Sequence, residues 1–190
     1  MSTPSAAPQE LSAETLFRRH AAFVASFLVR LGVVRDDIDD LVQDVFLVAH
    51  RKGGFVATGA ARPTTWLAMI ALRVASEARR RKRRNRLELD EERVDGAASS
   101  RDDPFDALAR QQALARVQRA LDAIVLERRA VFILFELEGE SCEAIAAGLG
   151  IPVGTVYSRL HHARREFERA YTKRVARPST AARAEEGGAA

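Results

Sequence analysis

The sequence predicts an all-α protein: two small helical domains joined by a flexible acidic linker, with a helix-turn-helix in the second domain. Apolar residues recur at three- and four-residue spacing along most of the chain, whereas no segment argues for strands by alternating apolar and polar residues. An acidic stretch over residues 87–106, in a chain of net positive charge, separates two groups of helices. With 190 residues the chain can form two domains, each near the lower size limit for a stable core.

The first domain, residues 11–86, is expected to contain three amphipathic helices. The first helix covers about 12–31 and stops at Gly32; its predicted inward residues are Phe17, Ala21, Val24, Leu28 and Leu31. The second helix follows a cap at Asp36 or Asp37 and ends at Gly53-Gly54. After a loop over 52–63, Thr64 or Thr65 caps a third helix that runs into the basic residues 79–84.

Residues 87–106 have the composition of a linker. They hold eight acidic residues against two basic ones, with Gly, Ala and Ser in the middle. Residues 1–10 and 173–190 are rich in small and polar residues without periodicity, which is typical of disordered tails. The second domain is therefore expected over 107–172, with its first helix opening at Asp103-Pro104.

The helix-turn-helix is predicted over Ser141–Arg164. A short helix, Cys142–Ala147, is broken by Gly148-Leu149-Gly150, and a second helix starts after Pro152 with Val156, Leu160 and Ala163 facing the protein. The residues left outward carry hydroxyl, imidazole and guanidinium groups suited to base edges and phosphates: Thr155, Tyr157, Ser158, Arg159, His161, His162 and Arg165. The alternative is an ordinary solvated basic face.

Two clusters in the first domain carry charge of opposite sign. Asp37, Asp40 and Asp44 share one face of the second helix, where they repel one another, and a basic partner surface would offset that repulsion. The alternative is that these carboxylates complement the dipole at the helix N-terminus, but this explains Asp44 poorly. The six basic residues 79–84 follow a helix that starts near Phe55, Arg62 and Trp66, a combination that suits single-stranded nucleic acid. For Trp66 a place in the core is the alternative.

The composition argues against several other classes of site. One cysteine, Cys142, permits no intrachain disulfide, and the four histidines are not spaced like a zinc site, so no cofactor or metal is expected. The carboxylates lack a His or Lys companion and no phosphate-binding glycine loop exists, so an enzyme with a small-molecule substrate is not expected. The longest apolar run, Trp66–Leu72, is too short to cross a bilayer, and a cytoplasmic protein without membrane insertion is expected.

Three motifs, in this order, resemble those of the extracytoplasmic-function (ECF) sigma factors of the sigma-70 family. DDIDDLVQDVFLVAHRK (36–52) is similar to the family's polymerase-binding helix. PTTWLAMIALRVASEARRRKRR (63–84) is similar to its −10 element and promoter-melting helix, and SCEAIAAGLGIPVGTVYSRLHHARREF (141–167) to its −35 reader. Pro63, Arg73, Tyr157 and His162 depart from residues common in the family, which leaves the promoter sequence open.

The resemblance implies partners and residue roles. The partners are promoter DNA, the clamp helices and flap of core RNA polymerase, and an anti-sigma factor. The residues implied for polymerase binding are Asp40, Leu41, Gln43, Asp44 and Phe46. Those implied for the −10 strand are Phe55, Arg62, Trp66, Arg73, Arg79, Arg80, Arg81 and Lys82. For −35 they are Thr155, Tyr157, Ser158, Arg159, His161 and His162, with Arg164 and Arg165 on the backbone.

Two other functions remain open on the residues alone. A helix-turn-helix regulator that binds an operator without joining the polymerase would need separate explanations for the acidic face and the basic run. An RNA-binding adaptor would use the basic run and treat 141–164 as a structural hairpin.

Overall fold

The computed structural model describes residues 10–57, 62–88 and 104–173. Within these ranges the chain is helical apart from one two-stranded ribbon, which confirms the all-α class. The elements are β1 (Glu10–Leu11), α1 (Ala13–Arg30), a 3-10 turn (Arg35–Asp37), α2 (Ile38–Arg51), β2 (Phe55–Val56), α3 (Pro63–Glu88), α4 (Pro104–Asp122), α5 (Leu126–Phe132), a π-helical turn (Ile133–Leu137), α6 (Cys142–Leu149) and α7 (Val153–Thr172).

The first three helices pack around one core, which we call the first unit. Ser12 caps α1 by accepting a hydrogen bond from the Thr15 amide, and Leu16, Val24, Phe27 and Leu28 form the buried side of the helix. Phe17, predicted to point inward, is instead 50% exposed. Val24, Leu28 and Leu31 of the predicted stripe are buried, and the difference lies at the start of the helix, where Leu16 rather than Phe17 faces the core.

Asp37 occupies the N-cap position of α2, as predicted, but its side chain makes no capping hydrogen bond, and a 3-10 turn over Arg35–Asp37 leads into the helix. The cap predicted for α3 was wrong. Helix α3 begins at Pro63, whose fixed φ suits the first helical position, so Thr64 and Thr65 lie inside its first turn. The ribbon was not predicted; β1 pairs antiparallel with β2, matching Glu10 with Val56 and Leu11 with Phe55, so Glu10, assigned to the N-terminal tail, lies in a strand.

Helices α4 to α7 form the second unit. Helix α4 begins at Pro104, as the Asp103-Pro104 pair predicted. Helix α6 is capped by Ser141 and reaches Leu149, so Gly148 is helical and only Gly150 adopts the left-handed conformation of the turn, with φ of 65°. The prediction that Gly148 breaks the helix was wrong. Val156, Leu160 and Ala163 are buried, as their spacing predicted.

The two units share a contact surface. Helix α3 packs against both α5 and α6, and the buried apolar residues of the two units form one continuous cluster. The sequence predicted two domains with a flexible joint, and most of the predicted acidic linker, residues 89–103, lies outside the described residues, as do the tails over 1–9 and 174–190. Helix α3 extends to Glu88 and so takes up the first residues assigned to the linker.

Candidate nucleic-acid and protein interfaces

The acidic face of α2 lies in solvent. We define it as Asp39, Asp40, Gln43 and Asp44, all of which are exposed on one side of the helix. The two apolar residues expected to bind alongside them do not share this exposure, since Leu41 is 5% and Phe46 7% exposed. These two side chains belong to the core of the first unit, so their role is to hold α2 in place rather than to supply the main contact surface.

An apolar groove borders the acidic face. The exposed ring of Phe17 and the exposed side chain of Leu47 form its walls. The Phe17 ring packs edge-on against Phe46, with 5.1 Å between the ring centroids. The lining residues are Ala13, Phe17, Asp39, Val42, Gln43, Phe46, Leu47 and His50. Exposed apolar area next to carboxylates is typical of a protein-binding surface. Sequence reasoning missed this groove because it assigned Phe17 to the core.

The start of α3 presents one aromatic ring rather than two. Trp66 is half-buried, and its ring centroid lies 5.8 Å from that of Phe55. Phe55 itself is only 4% exposed, so its ring is buried beside Trp66, and its contact with the −10 strand stays a prediction. It follows Gly54, where a Cβ would lie 2.3 Å from the Leu11 carbonyl oxygen, and the ribbon thereby turns the Phe55 ring inward under Trp66.

The basic run divides into two sets. Arg79 donates to the Leu31 carbonyl oxygen at 2.5 Å, and Lys82 pairs with Asp37, so both side chains bind the protein itself. Arg80 and Arg81 instead line an open groove between α2 and α3; its other polar walls are Asp44, Arg51, Glu77 and Arg84. Arg73 is also exposed, and it lies on α3 midway between Trp66 and Arg80. The cations free for a polyanion are therefore fewer than the sequence predicted.

The outer face of α7 is open to solvent. Tyr157, Ser158, His161, His162 and Arg165 are exposed, whereas Thr155 and Arg159 are half-buried. The rings of His161 and His162 lie 5.6 Å apart. Since α6 and the Gly150 turn hold α7 by its buried stripe, this face is presented as a rigid surface of the kind that enters a major groove.

Two side chains of α7 form hydrogen bonds within the second unit. Arg164 Nε donates to Glu136 at 2.6 Å, and its guanidinium lies 5.2 Å from the centre of the Phe135 ring. The Tyr157 hydroxyl lies 3.4 Å from Glu143, and the charge of this carboxylate raises the pKa of the phenol. Burial raises the pKa of the Cys142 thiol, which keeps it protonated and unreactive.

The contact between the units was invisible to sequence reasoning. Arg129 is 3% exposed and donates to Leu31 O at 2.8 Å, to Asp122 at 2.7 Å and to Ile124 O at 3.0 and 3.1 Å. Burial lowers the pKa of its guanidinium, partly offset by the Asp122 charge. Glu140, also buried, accepts from the Thr64 hydroxyl at 3.0 Å and lies 3.8 Å from Arg62.

In the described part of the chain, no group of His, Cys, Asp or Glu side chains is arranged to hold a metal ion. Across the same residues, none of the helices combines the length and the apolar character needed to cross a membrane.

Family models match both units. The model of sigma-70 region 2 matches residues 16–85, and the model of sigma-70 region 4 matches residues 114–167. The chain belongs to the ECF RNA polymerase sigma factors. It is 30% identical over 156 residues to the ECF RNA polymerase sigma factor SigM of Mycobacterium tuberculosis, covering 82% of this chain and 75% of the relative. It is 34% identical over 148 residues to the RNA polymerase sigma factor CarQ of Myxococcus xanthus, covering 78% and 82%.

A third relative is longer than this sigma factor. The chain is 32% identical over 154 residues to the ECF sigma factor SigE of Mycolicibacterium smegmatis. The aligned region covers 81% of this chain but only 59% of that relative. Among solved structures, the fold is similar to that of the sigma factor RpoE from Bartonella quintana in complex with the anti-sigma factor NepR. That likeness has a TM-score of 0.66 and covers 86% of this chain and 98% of the other at 23% identity.

The similarity to CnrH, solved in complex with the cytosolic domain of CnrY, has a TM-score of 0.54 at 25% identity, covering 85% and 88% of the two chains. Membership of the family confirms the resemblance drawn from the three motifs. The role of an RNA polymerase sigma factor follows from it.

Proposed function

We propose that this sigma factor binds core RNA polymerase through the acidic face of α2 and the neighbouring apolar groove. The solvent exposure of Asp40, Gln43 and Asp44 supports this, because exposed like charges at helical spacing repel until a basic surface covers them. Phe17 and Leu47 add apolar area at the same place, which an ionic contact alone would not need. The clamp helices of the largest subunit are the partner implied by the family, with the flap facing the second unit.

The same protein would read two promoter elements. The outer face of α7, with exposed Ser158 and half-buried Arg159, would enter the major groove of the −35 element, while Arg164 and Arg165 approach phosphates. Half-buried Trp66, with Arg73, Arg80 and Arg81, would hold unpaired bases and phosphates of the −10 strand. Extruding a base costs a few kcal/mol, which stacking and charge contacts offset. The protein itself makes and breaks no covalent bond.

The proposed partners also imply a cellular location and an inhibitor. Core polymerase and promoter DNA place the protein in the cytoplasm, and an anti-sigma factor is expected to hold it inactive until a signal arrives. One similar solved structure is a complex of this kind, that of the sigma factor RpoE with the anti-sigma factor NepR.

Run-off transcription tests the proposal. Purified core polymerase is supplied with fragments of the source genome, with and without the full-length protein, and transcripts are sequenced. Transcripts with defined 5′ ends that appear only with the protein support the sigma function and provide its promoter. Specific binding to the same DNA without polymerase, and with no new transcripts, would instead support the operator-binding regulator.

A further inference from the structure

Two adjacent histidines lie on the outer face of α7. His161 and His162 are both exposed, and their rings meet edge to face with 5.6 Å between the ring centroids. Successive residues of an α-helix are turned by about 100°, which places the two rings on opposite sides of the line from Ser158 to Arg165. That line runs opposite the buried stripe through Leu160. Both histidines therefore belong to the surface proposed to enter the −35 major groove.

The charged side chains within one helical turn of this pair on α7 are three arginines and one glutamate. They are Arg159, Arg164, Arg165 and Glu166. Glu136 binds Arg164, and Arg128 binds Glu166. Arg159 and Arg165 form no ion pair with any of the described residues. The surface beside the two rings is therefore positive and suited to a polyanion.

Neither histidine has a polar partner on the helices packed against α7, which are α4, α5 and α6. In α6, Cys142 is buried and Glu143 lies 3.4 Å from the Tyr157 hydroxyl. Between α4 and α5, Asp122 pairs with Arg129. The other charged side chains described on α4 and α5, apart from Arg128, are exposed: Arg110, Arg116, Arg119 and Glu127. In the described part of the chain, no hydrogen bond or ion pair joins either imidazole to another residue.

DNA phosphates attract a charged imidazole more strongly than a neutral one. Histidine changes charge between about pH 5 and 8, and the charged ring donates from both of its nitrogens. Duplex DNA carries one negative charge per about 1.7 Å of its axis, so a ring in the groove lies near several phosphates. The charged form therefore binds DNA more tightly than the neutral form. By reciprocity, bound DNA increases the affinity of the ring for a proton.

We propose that His161 and His162 couple −35 binding to proton uptake: the rings become charged as α7 enters the major groove, and binding strengthens as the pH falls from about 8 to 6. The sign follows from the charge, because the added positive charge is present at low pH and is lost as the pH rises through the range in which the bound rings titrate. The inference rests on the proposed function, since it requires α7 to bind the −35 duplex.

The first test measures equilibrium binding of the full-length protein to a short duplex that carries the −35 element found by run-off transcription. At constant salt, binding should be about 3- to 30-fold tighter at pH 6 than at pH 8, as expected for two exposed ionic contacts. The slope of log K against log salt should also be steeper at pH 6, by up to about 1.8, because two more phosphates are neutralised. Equal affinity at both pH values would overturn the proposal.

Glutamine at both positions removes the titration and keeps a side chain that forms hydrogen bonds. His161→Gln with His162→Gln should bind at pH 8 within about threefold of the unmodified protein and should lose the gain at pH 6. His20→Gln is the matched control, since His20 lies on α1 in the first unit, and it should keep the whole gain. A double glutamine variant that keeps the full gain would show that other groups titrate and would overturn the assignment.

Arginine at both positions tests the coupling in the opposite direction. His161→Arg with His162→Arg carries the charge at every pH used, so it should bind at pH 8 within about threefold of the unmodified protein at pH 6. A gain at pH 6 as large as that of the unmodified protein would contradict the coupling. Unmodified protein that binds the duplex equally at both pH values loses only the histidine coupling, whereas protein that binds it at neither pH also refutes −35 binding by α7.

Discussion

Reversing the charge of the acidic face gives the most direct test of polymerase binding. The change is Asp40→Arg together with Asp44→Arg, both exposed on α2. Exposed ion pairs measure about 0.2–1 kcal/mol each. Replacing an attraction with a repulsion of similar size costs about twice that amount, so the two reversals should cost about 1–4 kcal/mol of binding free energy in total. The dissociation constant should therefore rise about 5- to 1000-fold.

The assay is equilibrium binding of the labelled full-length protein to core polymerase at two salt concentrations. Because charges are screened beyond about 10 Å at 0.1 M salt and about 3 Å at 1 M, the difference between variant and unmodified protein should shrink at high salt. Glu127→Arg with Glu168→Arg is the matched control: both carboxylates are exposed on other helices, and the net charge changes by the same amount. Its affinity should stay within about threefold, as for charges outside the interface.

Thermal unfolding accompanies the binding assay. Both aspartates are exposed, so the free energy of unfolding should change by less than about 1 kcal/mol, although Asp44 borders the arginine-lined groove and loses a favourable neighbour there. A variant that is folded and still binds polymerase as tightly as the unmodified protein would refute the assignment of this face. So would a control pair that loses affinity to the same extent.

Three further predictions concern the second unit. Ser158→Ala or Arg159→Ala should each weaken binding to the promoter's −35 duplex by about 1–3 kcal/mol more than binding to a scrambled duplex, and equal losses would reassign them to phosphates. Ile145→Ala, which truncates a fully buried side chain, should lower the free energy of unfolding in urea by about 2–5 kcal/mol. Because burial raises the Cys142 pKa, the folded state binds the thiol proton more tightly, and stability should fall as the pH rises above the ordinary thiol pKa of about 8.5; Cys142→Ala should remove part of that fall.

Periodicity located most helices because it depends on neighbours three and four residues away. It placed Val156, Leu160 and Ala163 on the buried side of α7, as the structure has them, and the Asp103-Pro104 pair correctly placed the start of α4. It failed at the start of α1, where Leu16 and Phe17 are both apolar: Phe17 was placed in the core, and the exposed groove beside Phe46 was missed. Composition likewise could not separate Arg79, which binds Leu31, from Arg80, which lines an open groove.

The sequence by itself determined the all-α class, the order of the three motifs and the family to which the chain belongs, because these depend on local spacing and residue type. Only the tertiary structure decided what Gly148 and Arg129 do. The glycine looked like a helix breaker, yet it is helical and fits against Thr65, 83 positions earlier in the chain. Arg129 is bonded to a carbonyl 98 residues away. Such contacts depend on where packing brings distant segments, and no local pattern records that position.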